Sequence, residues 1–450
     1  MHKFKQLWGD LRSSFWFVPS LIVIANIAFA AALVETDSIR SDLWLAQWPR
    51  LFGAGADGAR QMLSTLAGSM MSVMGITFSM TLVALALASS QYTSRILRNF
   101  MGSRVTQVTL GIFAGIFAYC LVVLRTIHGG GGVNEFVPGL AVFFAFILAL
   151  AGIGVLVFFI HHIASSIQAS SIIASIAQDT IASIERLFPE RLGHGPDEDQ
   201  DPDQIVKSAE AMNWYPVPAA VNGYIQNVDN DALLRLARDR KTVVRMERGI
   251  GAFVVKNTAL ASLALDYLPD QEIIKALNDA YNVGRYRTVE QDPAFGIRQI
   301  VDMALKALSP GVNDTSTAVM CIDYLTAILA HLASRKFPAS LRYEGDQLSV
   351  ITIAPTFEGL LAEAFDQIRG SAIGNVGIIA RMLSAIETLA SLTANPRRRR
   401  VLHEHVLWIA ELAGRTTESV HERDRLARRL LEVREILQAE PAMNNDVEKV

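Results

Sequence analysis

Residues 137–188 read VPGLAVFFAFILALAGIGVLVFFIHHIASSIQASSIIASIAQDTIASIERLF, and the change of texture along them decides the fold. From 137 to 160 no side chain carries a charge. A helix needs about 20 apolar residues to cross the hydrocarbon core of a bilayer, and this run supplies them. Beyond it, Ile163, Ile167, Ser170, Ala174, Ala177, Ile181, Ile184 and Phe188 recur at alternating spacings of four and three. That is a coiled-coil-like seam with small residues in it, suited to close packing against neighbouring helices. No Gly or Pro intervenes before Pro189, so residues 163–192 are expected to continue the span as one rigid helix towards a soluble domain. His161 and His162 are adjacent and point about 100° apart on a helix, which suits interfacial residues better than metal ligands.

Three earlier stretches share the same texture: residues 15–34, 62–90 and 106–126. None has a charge in its interior; Arg125 sits at an end, and Asn26 is the strongly polar residue of the first. A core helix of a soluble protein rarely stays uncharged for so long, so four in succession predict four membrane spans. The first follows Lys3, Lys5 and Arg12, as a cleaved signal would. Its length and its bulky start at Phe15-Trp16-Phe17 favour a retained span. Arg95, Arg98 and Arg104 lie between the second and third spans with no acid among them, whereas Arg40, Arg50 and Arg60 are spread over a longer loop. The positive-inside rule then puts both termini in the cytosol, with the chain in the inner membrane. Trp44 and Trp48 suit an interfacial belt on the outer side.

Charge divides along the same line. Up to His162 there are ten Lys and Arg against six Asp and Glu; beyond it, 31 against 38. No strongly basic domain appears, so bulk nucleic-acid binding is not expected. Cys120 and Cys321 cannot make a disulfide framework and fit a reducing compartment as buried thiols.

The second span is less apolar than its neighbours. Ser69, Ser72, Ile76, Ser79, Val83, Ala86 and Ser90 form one helical stripe, with Thr77 and Thr81 on a second track. Two readings stand. Small and hydroxylic residues let helices pack closely in lipid; the same residues line pores where several copies of a helix meet. With no ionisable residue at depth, passive conduction by a homo-oligomer is a better expectation than coupled transport. Arg95, Arg98 and Arg104 read as positive-inside anchors, or as a ring favouring anions at an inner mouth.

The remainder reads as a cytosolic α+β domain. Residues 193–214 form an acidic, Pro-bearing loop and linker without EF-hand spacing. Residues 215–268 alternate short strands with Gly breaks, and Asp231 is expected to cap a helix at 232–238. Their order resembles a small barrel-sandwich module of the biotinyl/lipoyl kind. The lysine such carriers present in a Met-Lys-Met-like turn is absent, which favours a structural module. Residues 269–450 are expected to be helical apart from a strand near 347–353. Asp292 before Pro293 is an N-cap and N1 pair, Ser309-Pro310-Gly311 stops the helix, and Asn313 or Asp314 caps the next. Arg298 and Asp302, four apart, pair along the helix. A capped helical hairpin explains these residues; the rival is a pocket for a small molecule or ion using Glu290, Asp292, Arg298, Asn313 and Asp314. Arg397 to Arg400 read as a solvated helix start, with anionic-lipid contact as the alternative. His403-Glu404-His405 lacks the HExxH spacing of a zinc helix.

This cluster, the Gly223-Tyr-Ile-Gln-Asn-Val-Asp229 segment and the Phe78-Ser-Met-Thr81 to Ser94-Arg95 run together resemble the bacterial predicted-membrane-protein family called domain of unknown function 2254. The resemblance extends over nearly the whole chain. It departs at Thr93-Ser94-Arg95 and at Thr315, where the family tends to have Pro. It implies topology and carries no activity. No Walker loop, GxSxG elbow, paired-Cys set or GxGxxG after a strand is present, so neither an enzyme nor a cofactor is expected. The expected fold is therefore a membrane α-helical bundle of four transmembrane helices followed by a mostly helical cytosolic α+β domain. An oligomeric channel regulated by that domain and a membrane-anchored scaffold or ligand sensor are the two functional expectations.

Overall fold

A computed structural model of the chain describes residues 16–39, 55–91, 104–128, 136–187, 212–344 and 347–439. Trp44, Trp48, Arg95, Arg98 and the acidic segment lie outside them. Two compact units divide it, Met1–Ser171 and Ile172–Val450. The described part of the first consists of α1 (Phe17–Ile39), α2 (Ala56–Gln91), α3 (Arg104–Thr126) and α4 (Gly139–Ser166).

Helix α3 is the innermost, with Phe113, Ile116, Tyr119, Cys120 and Val123 buried against the other three. Helix α1 lies closest to it because Gly111 and Gly115 leave room. A methyl on Gly111 would sit 2.9 Å from the Cα of Pro19, and one on Gly115 2.6 Å from Asn26 Nδ2. Glycines one helical turn apart let two backbones meet without a hydrophobic drive, which lipid does not supply. Asn26 turns its amide back onto Ile22 O at 2.9 Å, so the polar residue of this span is satisfied within its own helix.

Two boundaries differ from the sequence reading. Helix α1 continues past Val34 to Ile39 and carries Glu35 and Asp37 with it. The helical continuation of α4 is not one rod. It breaks at Ile167–Gln168 and resumes as α5 (Ala169–Leu187). Ser166 Oγ donates to His162 O at 2.7 Å, the back-bonding that weakens a helical ladder without any Gly or Pro.

The second unit has two small sheets. β1 (Trp214–Pro218), β5 (Ala259–Ala264), β3 (Val244–Met246), β8 (Gln347–Ile351) and β7 (Leu341–Glu344) form one in that order; β4 (Phe253–Val254), β2 (Gly223–Val228) and β6 (Tyr281–Gly284) form the other. Val217, Ile225, Val244, Val254, Leu263 and Val350 point into their shared core, closed by α6 (Asn230–Arg240) and α7 (Gln271–Asp279). The β3–β8 pairing is parallel and joins residues about a hundred positions apart. The 215–268 segment is thus completed by a distant hairpin, a non-local contact that strand periodicity cannot reveal. Helix α6 is capped by Asp229, which accepts from Ala232 N at 2.9 Å, rather than by Asp231.

The helical layer comprises α8 (Pro293–Ala307), α9 (Thr315–Ala333), α10 (Phe357–Ser371), α11 (Val376–Leu392), α12 (Pro396–Thr416) and α13 (Val420–Gln438). Among the described residues, five helices are long and apolar enough to cross a membrane: α1 to α4, and α9. Helix α9 packs on α8, α10 and α11, and Cys321, Ile322, Leu325, Ile328 and Leu329 are fully buried.

The arginine run at the start of α12 is only partly a solvated surface. Arg398 is buried and donates to the carbonyls of Leu332, Ala333 and Arg335 at 3.2, 2.8 and 2.8 Å, capping the C-terminal end of α9. Its guanidinium lies over the rings of Phe337 and Phe357. Arg399 donates to Ala390, Thr393, Ile436 and Ala439 carbonyls. Arg398→Ala removes the guanidinium from three carbonyls, of which Leu332 O keeps Arg335 N at 3.3 Å, and should destabilise the second unit by about 2–4 kcal/mol, whereas exposed Arg400→Ala should change it by under about 0.5. Urea unfolding of the detergent-solubilised protein, followed by protease resistance of the second unit, compares the two variants.

His405 of α12 is buried beneath Trp408, its Nδ1 4.0 Å from Asp366 Oδ1. Burial pushes its pKa down to about 4; nearby Asp366 counteracts this and Arg369 adds to it. The unfolded chain therefore takes up this proton first as pH falls, near 6.5. The stability contribution is complete above that value and is lost between about 6.5 and 4, by up to about 3 kcal/mol. His405→Leu should flatten this part of the curve of stability against pH; an unchanged slope between pH 7 and 4 would count against the assignment.

Candidate functional site

Two places carry the candidate residues, and they lie in different units. The first is the face of α2 that none of the described helices of its own unit covers. Leu63, Ala67, Met70, Thr77 and Ala84 are buried against the unit, while Ser69, Ser72, Ile76, Ser79, Val83 and Ala86 are exposed. The stripe of the sequence reading thus faces outward, and the Thr77 track faces inward or sideways. Ser90 falls in α2, but its side chain is outside the described residues, as are Arg95 and Arg98; Arg104 opens α3 and is exposed.

Four of the hydroxyls on this face and its flank are handled locally. Ser69 Oγ donates to Thr65 O at 2.8 Å, Ser72 Oγ to Gly68 O at 3.0 Å, Thr77 Oγ1 to Val73 O at 2.8 Å and Thr81 Oγ1 to Thr77 O at 2.8 Å. Gly68 and Gly75 lie on the same side, and a methyl added to either meets nothing within 4 Å. These open glycines contrast with Gly111 and Gly115, which α1 fills. Outward residues of α1 and α4 are of another kind: Leu21, Ile24 and Ile27; Leu150, Ile153 and Val157. Helix α2 also exposes Met71, Ile76 and Phe78, and Gly154 of α4 is open too; what sets α2 apart between Thr65 and Ser79 is the added line of Ser69, Ser72 and Ser79.

A polar node that the sequence reading missed ties three helices of this unit together. Asp37, near the end of α1, is buried and accepts from Ala141 N in the first turn of α4 at 3.2 Å. Tyr119 of α3 donates to Ala141 O at 2.8 Å. One residue is thus held at both its backbone polar groups. Beside it in sequence terms, Arg60 of α2 donates to Ile127 O beyond the end of α3 at 3.0 Å. A carboxylate at a helix N-terminus meets orphan amides and the positive end of the helix dipole. The available signal was a lone Asp a few residues past an apolar run; its partner, some hundred positions away, was not readable.

The second place is the 288–318 segment. Asp292 caps α8, accepting from Phe295 N at 3.1 Å, and holds Arg287 in a two-point fork at 2.8 and 3.0 Å. Gly251, at φ +81°, lies so close beneath this fork that any Cβ would strike it. Glu290 contributes its backbone carbonyl, which accepts from Ser183 Oγ of α5 at 3.0 Å, and Gln291 Oε1 accepts from Val228 N of β2 at 3.2 Å. Gly296 meets Thr180 of α5 at a contact that leaves no room for a side chain. The loop before α8 is therefore a junction between α5 and the second sheet.

Asn313 and Asp314 stand at the other end of α8. Asn313 takes a left-handed φ of +47°, and Asp314 caps α9, accepting from Thr317 N at 3.0 Å and from Thr317 Oγ1 at 2.6 Å. Those bonds hold its carboxyl below the usual range. Helix α8 has 15 residues, so its rise of about 1.5 Å per residue separates the Asp292 end from the Asp314 end by about 22 Å. Arg298 lies between them, bonded to Asp302 and to Glu363 of α10, each at 3.2 Å. The structure does not bring the five residues together, and the side chains of three of them, Asp292, Arg298 and Asp314, have structural partners in place. Caps and ion pairs account for what they do.

Comparison with known proteins agrees with this architecture. The profile of a family described as "Predicted membrane protein (DUF2254)" matches residues 12–388. Uncharacterized proteins of Mycobacterium bovis and Mycobacterium tuberculosis are each 28% identical over 433 residues, covering 94% of this chain and 80% of theirs. No solved structure matches the chain.

Proposed function

We propose, for a chain that belongs to the predicted-membrane-protein family DUF2254, a non-enzymatic function seated in the bilayer: a homo-oligomeric passive pore whose wall is α2. In this reading α1 to α4 span the inner membrane of a bacterium with both termini in the cytosol. Helix α9 is then a core helix of a cytosolic second unit, which regulates the pore.

The observation that carries the reading is the outward hydroxyl and glycine face of α2. The interior of the first unit is filled by Phe113, Ile116, Tyr119 and Val123. A path for polar solutes therefore runs between copies of the chain, and Ser69, Ser72 and Ser79 are the outward hydroxyls available to it. Ser69 and Ser72, whose protons are engaged by their own helix, offer lone pairs to a passing ion without adding charge. Asp37, the buried carboxylate, lies near the end of α1 and is committed to α4, so it favours passive flow over coupling to a proton. A second reading, a membrane-anchored scaffold, uses the same face for dry packing: Gly68, Ser72, Gly75 and Ser79 are spaced as helix–helix contacts are.

Accessibility separates the two. Ser72→Cys and Ser79→Cys in native vesicles should react with a charged, membrane-impermeant thiol reagent, and the modification should reduce bilayer conductance by about half or more. Native Cys120 and Cys321 are buried and supply the background control. Protection of both positions, with no conductance from reconstituted protein, would leave the scaffold.

A further inference from the structure

The second, three-stranded sheet has one face in the core and one that no described element covers. Ile225 and Val254 point inward. Outward stand Tyr224 of β2 and Phe253 of β4, paired directly across the strands, with rings 5.0 Å apart edge to face. Val255 follows Phe253 by two residues, the spacing that returns an extended chain to the same face. On the other side, Gly284 of β6 opposes Tyr224, and Tyr286 follows it by two. The side chain of Gln226 lies across Gly284 and donates to Tyr286 O at 2.7 Å, which holds that end of the face in place. Phe253, Val255 and Tyr286 are 52%, 50% and 56% exposed.

This is an aromatic ridge on a rigid support, with a cation at each end. Lys256 adjoins Val255, in a loop fixed by Lys256 N donating to Asn222 Oδ1 at 2.7 Å, and Arg285 adjoins Tyr286; both are exposed. The nearby acid Asp292 is already committed to Arg287. We infer that this face is a docking surface for anionic lipid headgroups, with Phe253, Tyr224 and Val255 entering the headgroup boundary and Lys256 and Arg285 pairing with phosphates. Amphipathic aromatics and basic side chains are the groups that partition to that boundary. The acidic 194–203 segment of this chain would match the two cations, yet it has no apolar side chain to cover the ridge. A bilayer supplies both halves, and the chain's own spans keep one within reach, so even a weak surface contact is populated. The inference uses only attachment of the chain to a membrane and stands or falls apart from conduction by α2.

The test uses the full-length protein in nanodiscs of phosphatidylcholine alone or with a third phosphatidylglycerol, carrying a nitrobenzoxadiazole fluorophore at Val255→Cys. Quenching by nitroxide-labelled lipid should appear in the anionic discs and be several-fold weaker in neutral ones. Lys256→Ala with Arg285→Ala should lower the docked-to-free ratio by about 30-fold, at about 1 kcal/mol for each basic side chain. These surface changes leave the core untouched, and an unchanged elution volume and circular dichroism spectrum confirm that. Three results would overturn the inference: no lipid quenching in either disc, equal quenching in both, or a label already shielded from aqueous iodide in detergent. The last would mean that protein, a second copy or another part of the chain, covers the face.

Discussion

In a medium without water, each polar group of a chain must find its partner within the chain. That constraint shapes most polar residues of the first unit, with Gln107 Oε1 and Asp37 Oδ1 as buried exceptions. Asn26 bonds its own helix, Ser69, Ser72, Thr77 and Thr81 of α2 do the same, and Asp37 Oδ2 reaches the free amide of Ala141 at the start of α4. A buried amide or hydroxyl left unpaired costs several kcal/mol in hydrocarbon, more than most packing contacts return. The polar residues of these helices are therefore kept where a neighbouring carbonyl or amide is geometrically assured. The i−4 carbonyl of a helix is assured from the outset, which is why serine and threonine are tolerated along α2.

The same constraint explains what could be read from the amino-acid sequence. Uncharged runs of span length read as spans, and four of the five helices among the described residues that are long and apolar enough to cross a membrane correspond to them. Caps were legible for the same local reason: Asp292 before Pro293, and Asp314 after a Pro-Gly stop, each bond an amide three residues on. Where the deciding partner is remote, local pattern gave no access to it. The β3–β8 pairing, the hold of Asp37 on α4 and the grip of Arg398 on the end of α9 each join positions some 65 to 105 residues apart. Arg397 to Arg400 looked like a uniform charged run, yet it divides into surface and staple according to carbonyls supplied by other helices. Apolar composition alone also cannot separate a span from a deeply buried core helix, and α9 has the texture of both.

The 288–318 segment shows how chemistry-bearing residues gather at a fold junction without forming a site. Helix starts need acceptors, tight turns need residues that accept positive φ, and close crossings need glycine. Asp292, Asp314, Asn313, Gly251 and Gly296 answer those three needs in turn. A dense cluster of Asp, Asn, Arg and Gly therefore records the number of chain reversals in a short stretch. The length of α8, about 22 Å, keeps the Asp292 end and the Asp314 end apart.

What remains distinctive after caps and packing are subtracted is the asymmetry of the membrane helices. The glycines of α3 are filled by α1, and those of α2 are not. A helix exposed to lipid gains nothing from glycine, which loses helix propensity by about 1 kcal/mol against alanine and presents no surface for acyl chains. Gly154 of α4 is open as well, but on α2 two open glycines stand in line with the self-bonded Ser69 and Ser72, a cost that the protomer alone does not recover. A partner for that face, whether another copy across a wet lumen or across a dry seam, is what would offset it, and the engaged hydroxyls make the wet alternative available without any buried charge.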